Sequence, residues 1–106
     1  AHSRWHRVTS DEVWHYYEGD PLELFWMEPD LSAVHRFVLG PLSDVSQPVQ
    51  VILAGYWQTA RPLGLYTLTG CSVGPGFDFA DFQLLSDRSE ESREVQMRFP
   101  EIAAFL

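Results

Sequence analysis

Short strand-like segments separated by tight turns follow one another along most of this chain, and they limit the possible folds more than any other feature. The turns contain glycine and proline, as at Gly19-Asp20-Pro21, Gly40-Pro41 and Gly74-Pro75-Gly76. Many short strands joined in this way predict an antiparallel sandwich or barrel. Pro100 begins an apolar segment that ends the sequence, and proline in a first turn predicts a short C-terminal helix.

The alternation of apolar and polar residues sets the expected strands and their faces. In the first strand, one face carries Arg4, His6 and Val8, and the other face carries Trp5 and Arg7. The polar segment over residues 86–94 predicts a loop or a solvated helical turn. The predicted strands occupy residues 4–8, 12–17, 22–27, 33–39, 49–53, 56–60 and 65–73.

Composition narrows the classes of function. A length of 106 residues predicts one domain over residues 1–106. A net charge of -8 argues against nucleic acids and anionic membranes as partners, because both attract basic proteins. The apolar runs are too short to span a bilayer, and the single Cys71 excludes an intrachain disulfide. We therefore expect a cytoplasmic protein. All seven basic residues are arginine, so a lysine Schiff base is excluded within this sequence.

Two segments of the sequence resemble the motifs of the cupins. The first cupin motif has two histidines one residue apart, then a glutamate and a glycine. His6, Glu12 and Gly19 match it, whereas Val8 stands in place of the second histidine. The second motif, proline-x-glycine followed by a histidine, is similar to residues 53–58, with Gln58 in place of that histidine.

The resemblance is closer to one cupin subfamily, described as predicted sugar epimerases and largely of unknown function. Residues 10–22 and residues 70–79 are similar to its two long motifs, and the likeness runs from residue 4 to residue 85. It implies an all-β fold, an antiparallel jelly-roll barrel with a small-molecule ligand inside. Members carry upstream residues that supply the first strands, so we expect this chain to lack N-terminal strands. Open sheet edges and abundant aromatic residues favour a homodimer.

The same resemblance implies a catalytic site. In metal-binding cupins, the two histidines, the glutamate and the later histidine hold a divalent ion. Here only His6, Glu12 and Gln58 remain as ligands for such a cofactor, so we favour chemistry without a metal or other cofactor. In that interpretation His6 is a general base, and Glu12 orients the imidazole and makes it more basic.

The favoured function is an isomerase-like or epimerase-like proton transfer on a carbonyl-bearing metabolite. Metal-free epimerases of this class pair a histidine with a tyrosine acid, and Tyr16, Tyr56 and Tyr66 are all available. A metal-dependent enzyme, a non-catalytic ligand-binding cupin and a buried polar pair without function remain as alternatives. The residues expected to bind the substrate are Arg4, Trp14, Tyr16, Trp57, Gln58 and Phe77.

Two further residues are predicted to lie outside the chemistry. His15 alternates away from Glu12 along the second strand, so we expect it outside the cavity. No basic residue is adjacent to Cys71, so we expect it to be a buried, unreactive side chain.

Overall fold

The computed structural model describes residues 3–74 and 82–106, and within them most of the chain is antiparallel β-structure. A 3-10 turn over Leu85–Asp87 follows the strands, and then come helix α1 over Ser89–Arg98 and a 3-10 helix over Pro100–Phe105. The strands are β1 His6–Arg7, β2 Asp11–Gly19, β3 Leu22–Met27, β4 Val34–Leu39, β5 Val49–Ile52, β6 Trp57–Pro62, β7 Thr67–Gly74 and β8 Gln83–Leu84.

Two sheets form a jelly-roll sandwich. The larger sheet has the strand order β4-β3-β6-β1-β8, and the smaller one has the order β5-β2-β7. Residues of both sheets form an inner cluster, because alternate side chains of each strand point to the same face. The antiparallel jelly-roll architecture is therefore confirmed. The buried members of the inner cluster are Trp14, Leu22, Leu24, Leu39, Ile52 and Ala60.

The C-terminal segment covers the outer face of the five-stranded sheet. Val95 of α1 and Ile102 and Phe105 of the 3-10 helix pack into one cluster with Trp5 and Trp57, whose side chains are fully buried. The indole Nε1 of Trp5 donates a hydrogen bond to the carbonyl of Ile102 at 3.2 Å. Burying each large apolar side chain stabilises the fold by about 1.5–3 kcal/mol, so this face carries much of the stability. The predicted short C-terminal helix is confirmed here.

Helix α1 occupies part of the segment that the sequence predicted as a loop or a helical turn. Its residues are mostly good helix formers, with Glu90 and Glu91 in the first turn and Arg98 in the last, as the helix dipole favours. Val95 is its one buried residue. A single buried position leaves no apolar periodicity to detect, which is why the sequence did not predict the full helix.

The outer face of the three-stranded sheet is more open. Tyr17, Val49 and Val51 are 61%, 47% and 45% exposed there, and His15 stacks on Tyr17 with ring centroids 6.5 Å apart. His15 thus lies outside the sandwich, as predicted. The homodimer, the single domain and the cytoplasmic location stay predictions. No helix in the described ranges is long and apolar enough to cross a membrane.

Candidate functional site

A row of four side chains crosses the inner face of the five-stranded sheet. Gln58 of β6 lies opposite His6 of β1 on one side and opposite Trp26 of β3 on the other. His35 of β4 lies opposite Trp26 and extends the row. Side chains directly opposite each other in antiparallel strands share a face, so all four point toward the smaller sheet.

The turn before β6 sets which residues of that strand face inward. Gly55 has a φ of +81°, a left-handed conformation that glycine adopts without strain, and its N–H donates to the carbonyl of Val8 at 2.8 Å. The strand then starts with Trp57 on the outer face and Gln58 on the inner face. The glycine that the second motif supplied therefore positions the amide at the centre of the row.

A buried hydrogen-bond network joins the two sheets at Gln58. The indole Nε1 of Trp14 donates to Gln58 Oε1 at 2.7 Å, and Gln58 Nε2 donates to Glu12 Oε1 at 2.9 Å. An indole N–H can only donate, so the amide oxygen must face Trp14 and the amide nitrogen must face Glu12. All three residues are at most 9% exposed. The network fixes one Glu12 oxygen as a hydrogen-bond acceptor.

Glu12 receives its hydrogen bonds from neutral groups. Cys71 lies opposite Trp14 on the neighbouring strand β7. Burial, followed by the hydrogen bond to Glu12 and its negative charge, raises the pKa of the Cys71 thiol to about 12. The thiol is thus a donor to the carboxylate. Within residues 3–74 and 82–106, no arginine or histidine nitrogen lies within 4.0 Å of the Glu12 oxygens.

The prediction that Cys71 is a buried side chain is wrong, because the residue as a whole is exposed, although its thiol beside Glu12 is partly withdrawn from solvent. Strand β7 is an edge strand of its sheet, so one side of the residue has no neighbouring strand within the described ranges. The sequence showed no basic neighbour for Cys71 but could not show that it lies beside Glu12. That contact depends on the register between β2 and β7.

His6 is oriented by the backbone and not by Glu12. Its Nδ1 lies 2.7 Å from the carbonyl oxygen of Arg4, which can only accept, so Nδ1 carries a proton. In the neutral ring Nε2 then has a free lone pair. The ring stacks on Phe82 with centroids 5.4 Å apart. Among the described residues no hydrogen bond or ion pair joins His6 to Glu12, so the orienting role expected of Glu12 passes to the Arg4 carbonyl.

Aromatic side chains extend the site along the same face. Trp26 stacks on His35 at 5.5 Å and meets Phe37 at 6.4 Å. His35 Nε2 lies 2.5 Å from Glu28 Oε1, and this hydrogen bond lowers the pKa of the Glu28 carboxyl. The sequence singled out neither Trp26 nor His35 as a site residue. Only the pairing of three strands places both beside Gln58.

The remaining predicted binding residues separate into different surroundings. Arg4 is a surface residue whose Nη2 donates to Ser86 Oγ at 2.6 Å, and the Tyr16 hydroxyl donates to the carbonyl of Gly19 at 2.8 Å. Trp57 requires a correction, because it packs in the outer cluster. Adjacent residues of a strand point to opposite faces, so Trp57 and Gln58 do not share a cavity. Phe77 lies outside the described residues.

The residues present do not fit a metal centre. Among the described residues no group of three histidine, cysteine, aspartate or glutamate side chains is placed to hold an ion. The side-chain oxygen of Gln58 accepts a hydrogen bond from Trp14. Its amide nitrogen, which cannot act as a metal ligand, faces Glu12. His6 and Glu12 alone do not complete the ligand set that the cupin resemblance implied.

A surface cleft of about 260 Å³ lies apart from this row, at the edge strand β4. Arg36, Phe37 and the segment over residues 43–47 contribute to its wall. Neither Gln58 nor Glu12 lines the cleft. It therefore does not contain the buried network, and the inner row remains the candidate site.

Comparisons with known proteins agree with this architecture. The chain is similar to the crystal structure of a Shewanella oneidensis protein, with 28% sequence identity and a TM-score of 0.79, over 97% of this chain. It is also similar in fold to a hypothetical protein from Leishmania major, with 24% identity and a TM-score of 0.76, over 98% of this chain. The chain spans 63% and 66% of the lengths of these two proteins.

No curated protein matches this sequence. Residues 1–85 match the family described as Cupin superfamily (DUF985). The match includes the His6–Glu12 segment, Gln58 and Cys71, so the candidate site lies inside the region that defines the family. The chain belongs to the Cupin superfamily (DUF985).

Proposed function

We propose that this cupin binds a small molecule between its two sheets and catalyses proton transfer on it, as an isomerase or epimerase acts on a carbonyl-bearing metabolite. The observation that carries the proposal is the buried Trp14–Gln58–Glu12 network, which lies beside His6, whose Nε2 has no hydrogen-bond partner in the part of the chain that the structure describes. Small-molecule sites are typically lined by apolar and aromatic side chains, with a few polar groups that orient the ligand.

Each polar group has a distinct role in the proposed reaction. His6 Nε2 accepts a proton from the carbon next to the carbonyl, while the Arg4 carbonyl holds Nδ1–H and stabilises the imidazolium that forms. Glu12 and Gln58 bind polar groups of the ligand in fixed positions. Their mutual hydrogen bond prevents either side chain from turning away.

The energetic cost of the network supports a functional role. A buried carboxylate without a cationic partner is destabilising, and an apolar pair of similar volume packs the same space without that cost. Departures from the rules of core packing are expected at functional sites. Glu12 is such a departure, in an inner cluster whose other buried members are mainly apolar.

We propose that the substrate is not a sugar nucleotide, although the subfamily that the sequence resembles is described as sugar epimerases. Arg61 forms an ion pair with Glu23 at 2.6 Å, and Arg4 binds Ser86. Neither guanidinium lies in the row formed by His6 and Gln58. A diphosphate needs clustered basic groups, and the net charge of -8 disfavours it further.

Deuterium exchange tests the proton transfer without a known product. Reducing sugars and amino sugars are incubated with the protein in D2O, and NMR follows exchange at the carbon next to the carbonyl. We expect exchange in at least one compound and a roughly 100- to 10,000-fold slower rate with His6→Asn. The matched control is His15→Asn, on the outer face of the other sheet. Equal rates for wild type and His6→Asn would refute the role of His6.

A second candidate function is binding without catalysis, and one contact favours it. The Tyr16 hydroxyl donates to a backbone carbonyl, so it is engaged and not free to act as the acid opposite His6. Compounds that bind to the inner face but show no exchange in D2O would support this second function.

A further inference from the structure

We infer that the ligand carries a protonated amine and that Glu12 binds it. This inference rests on the proposed function, because it names the class of molecule that occupies the same site. The starting observation is the unbalanced charge of Glu12. The carboxylate is 9% exposed, and its donors are the amide of Gln58 and the thiol of Cys71, which are both neutral.

Glu23, the other buried carboxylate among the described residues, shows what a purely structural glutamate looks like here. Glu23 is 6% exposed, and it receives a guanidinium on each oxygen, from Arg36 at 2.5 Å and from Arg61 at 2.6 Å. Two positive charges of the same fold therefore balance the negative charge of Glu23. Within the described ranges the fold supplies no cation to Glu12, so a cationic ligand is the partner that balances this charge.

The aromatic neighbours of Gln58, which donates a hydrogen bond to Glu12, suit an ammonium group. Trp26 and His35 are partly exposed and stack along the row that contains Gln58. An ammonium over a tryptophan face gains cation–π attraction, and a salt bridge to a desolvated carboxylate gains from the low local dielectric. The net charge of -8 also raises the local concentration of cations and repels anions.

Three probes of one shape and different charge test the inference: benzylammonium, benzyl alcohol and benzoate, each titrated at pH 7.5 by calorimetry. We expect wild type to bind benzylammonium at least tenfold more tightly than benzyl alcohol, and benzoate most weakly. Glu12→Gln should abolish the preference for the amine. Glu18→Gln removes the same charge from an exposed position of β2 and should preserve it.

The outcomes separate the inference from the proposed function. Benzyl alcohol or benzoate binding as tightly as benzylammonium overturns the inference and leaves the site intact. A preference for the amine that survives in a folded Glu12→Gln also overturns it. If no probe binds to wild type, the proposed site and the inference both fail. Should Glu12→Gln not fold, the side-chain amide signal of Gln58 in wild type decides: a shift with benzylammonium and none with benzyl alcohol supports the inference, and equal shifts refute it.

Discussion

The two faces of the five-stranded sheet are built from neighbouring residues of the same strands, yet they differ in almost every physical property. Trp5 and Trp57 face outward and are fully buried beneath the C-terminal helices. The next residues, His6 and Gln58, face inward and belong to the candidate site. A strand therefore supplies core residues with one side and residues of the candidate site with the other, since successive side chains point in opposite directions.

The two buried glutamates of the described residues also differ in how their charge is balanced. On the outer face Glu23 has two arginine partners, whereas the donors to Glu12, on the inner side of the opposing sheet, are all neutral among the described residues. Within the described ranges one carboxylate is balanced by two cations and the other by none, and this difference is the basis for proposing a structural role for Glu23 and a binding role for Glu12. The contrast yields four predictions about stability and protonation.

The largest loss of stability is expected for Trp57→Ala on the outer face. Removing a fully buried indole leaves a cavity, which lowers the free energy of unfolding by about 3–5 kcal/mol. Urea unfolding followed by tryptophan fluorescence measures the change. Trp57→Phe is the control, because it keeps an aromatic ring and leaves a much smaller cavity, and the indole nitrogen that it removes has no hydrogen-bond partner among the described residues. A similar loss in both variants would contradict the cavity explanation.

Glu23→Gln is expected to lower the free energy of unfolding by roughly 2 kcal/mol at pH 7, since both arginines are half exposed and solvent screens them. Burial alone would raise the pKa of the Glu23 carboxyl. The hydrogen bonds from Arg36 and Arg61 outweigh burial and hold this pKa below its ordinary value of 4.5. A lowered folded pKa gives stability above pH 4.5 that is lost as the pH falls through the folded value. The difference between wild type and variant should therefore shrink toward pH 3. A difference independent of pH would refute the ion-pair account.

Glu12→Gln is expected to change the free energy of unfolding by less than about 1 kcal/mol. The substitution keeps the shape of the side chain and removes a charge that has no cationic partner among the described residues. The same urea titration at pH 7 compares it with Glu23→Gln. A loss for Glu12→Gln equal to that for Glu23→Gln would mean that both carboxylates are structural.

The smallest effect concerns the protonation of one thiol. With the pKa of Cys71 near 12, its alkylation by iodoacetamide at pH 8 should be at least a hundredfold slower than that of an ordinary thiol with a pKa near 8.5. Glu12→Gln removes the negative charge and should accelerate the reaction. Mass spectrometry of the alkylated protein gives both rates. A rate that is the same in wild type and variant would show that Glu12 does not contact the thiol.

The sequence predicted the strands well because each is short, apolar or aromatic and followed by a glycine or proline turn. It also predicted, from their likeness to a cupin motif, that His6 and Glu12 belong to one cavity, and this stays a prediction. The cross-strand row of Gln58, Trp26 and His35 was out of reach, because register depends on pairing between distant segments.

Two errors in the predicted site have different physical origins. Trp57 was assigned to the cavity together with Gln58, although neighbouring residues of a strand cannot share a face. Glu12 was assigned as the partner of His6, but the carbonyl of Arg4 takes that position. The first error could have been avoided from the sequence, because successive side chains of a strand alternate between its faces. The second could be recognised only from the positions of the backbone atoms.

The central claim is that the inner face binds ligand and the outer face does not, and the four tryptophans report on it directly. Trp14 and Trp26 belong to the inner side, and Trp5 and Trp57 belong to the outer cluster. The measurement is a titration with benzylammonium followed by the indole N–H signals of ¹⁵N-labelled protein. We predict that the signals of Trp14 and Trp26 shift with saturation while those of Trp5 and Trp57 stay in place. Saturating shifts confined to Trp5 and Trp57, or no shift at any of the four, would contradict the account.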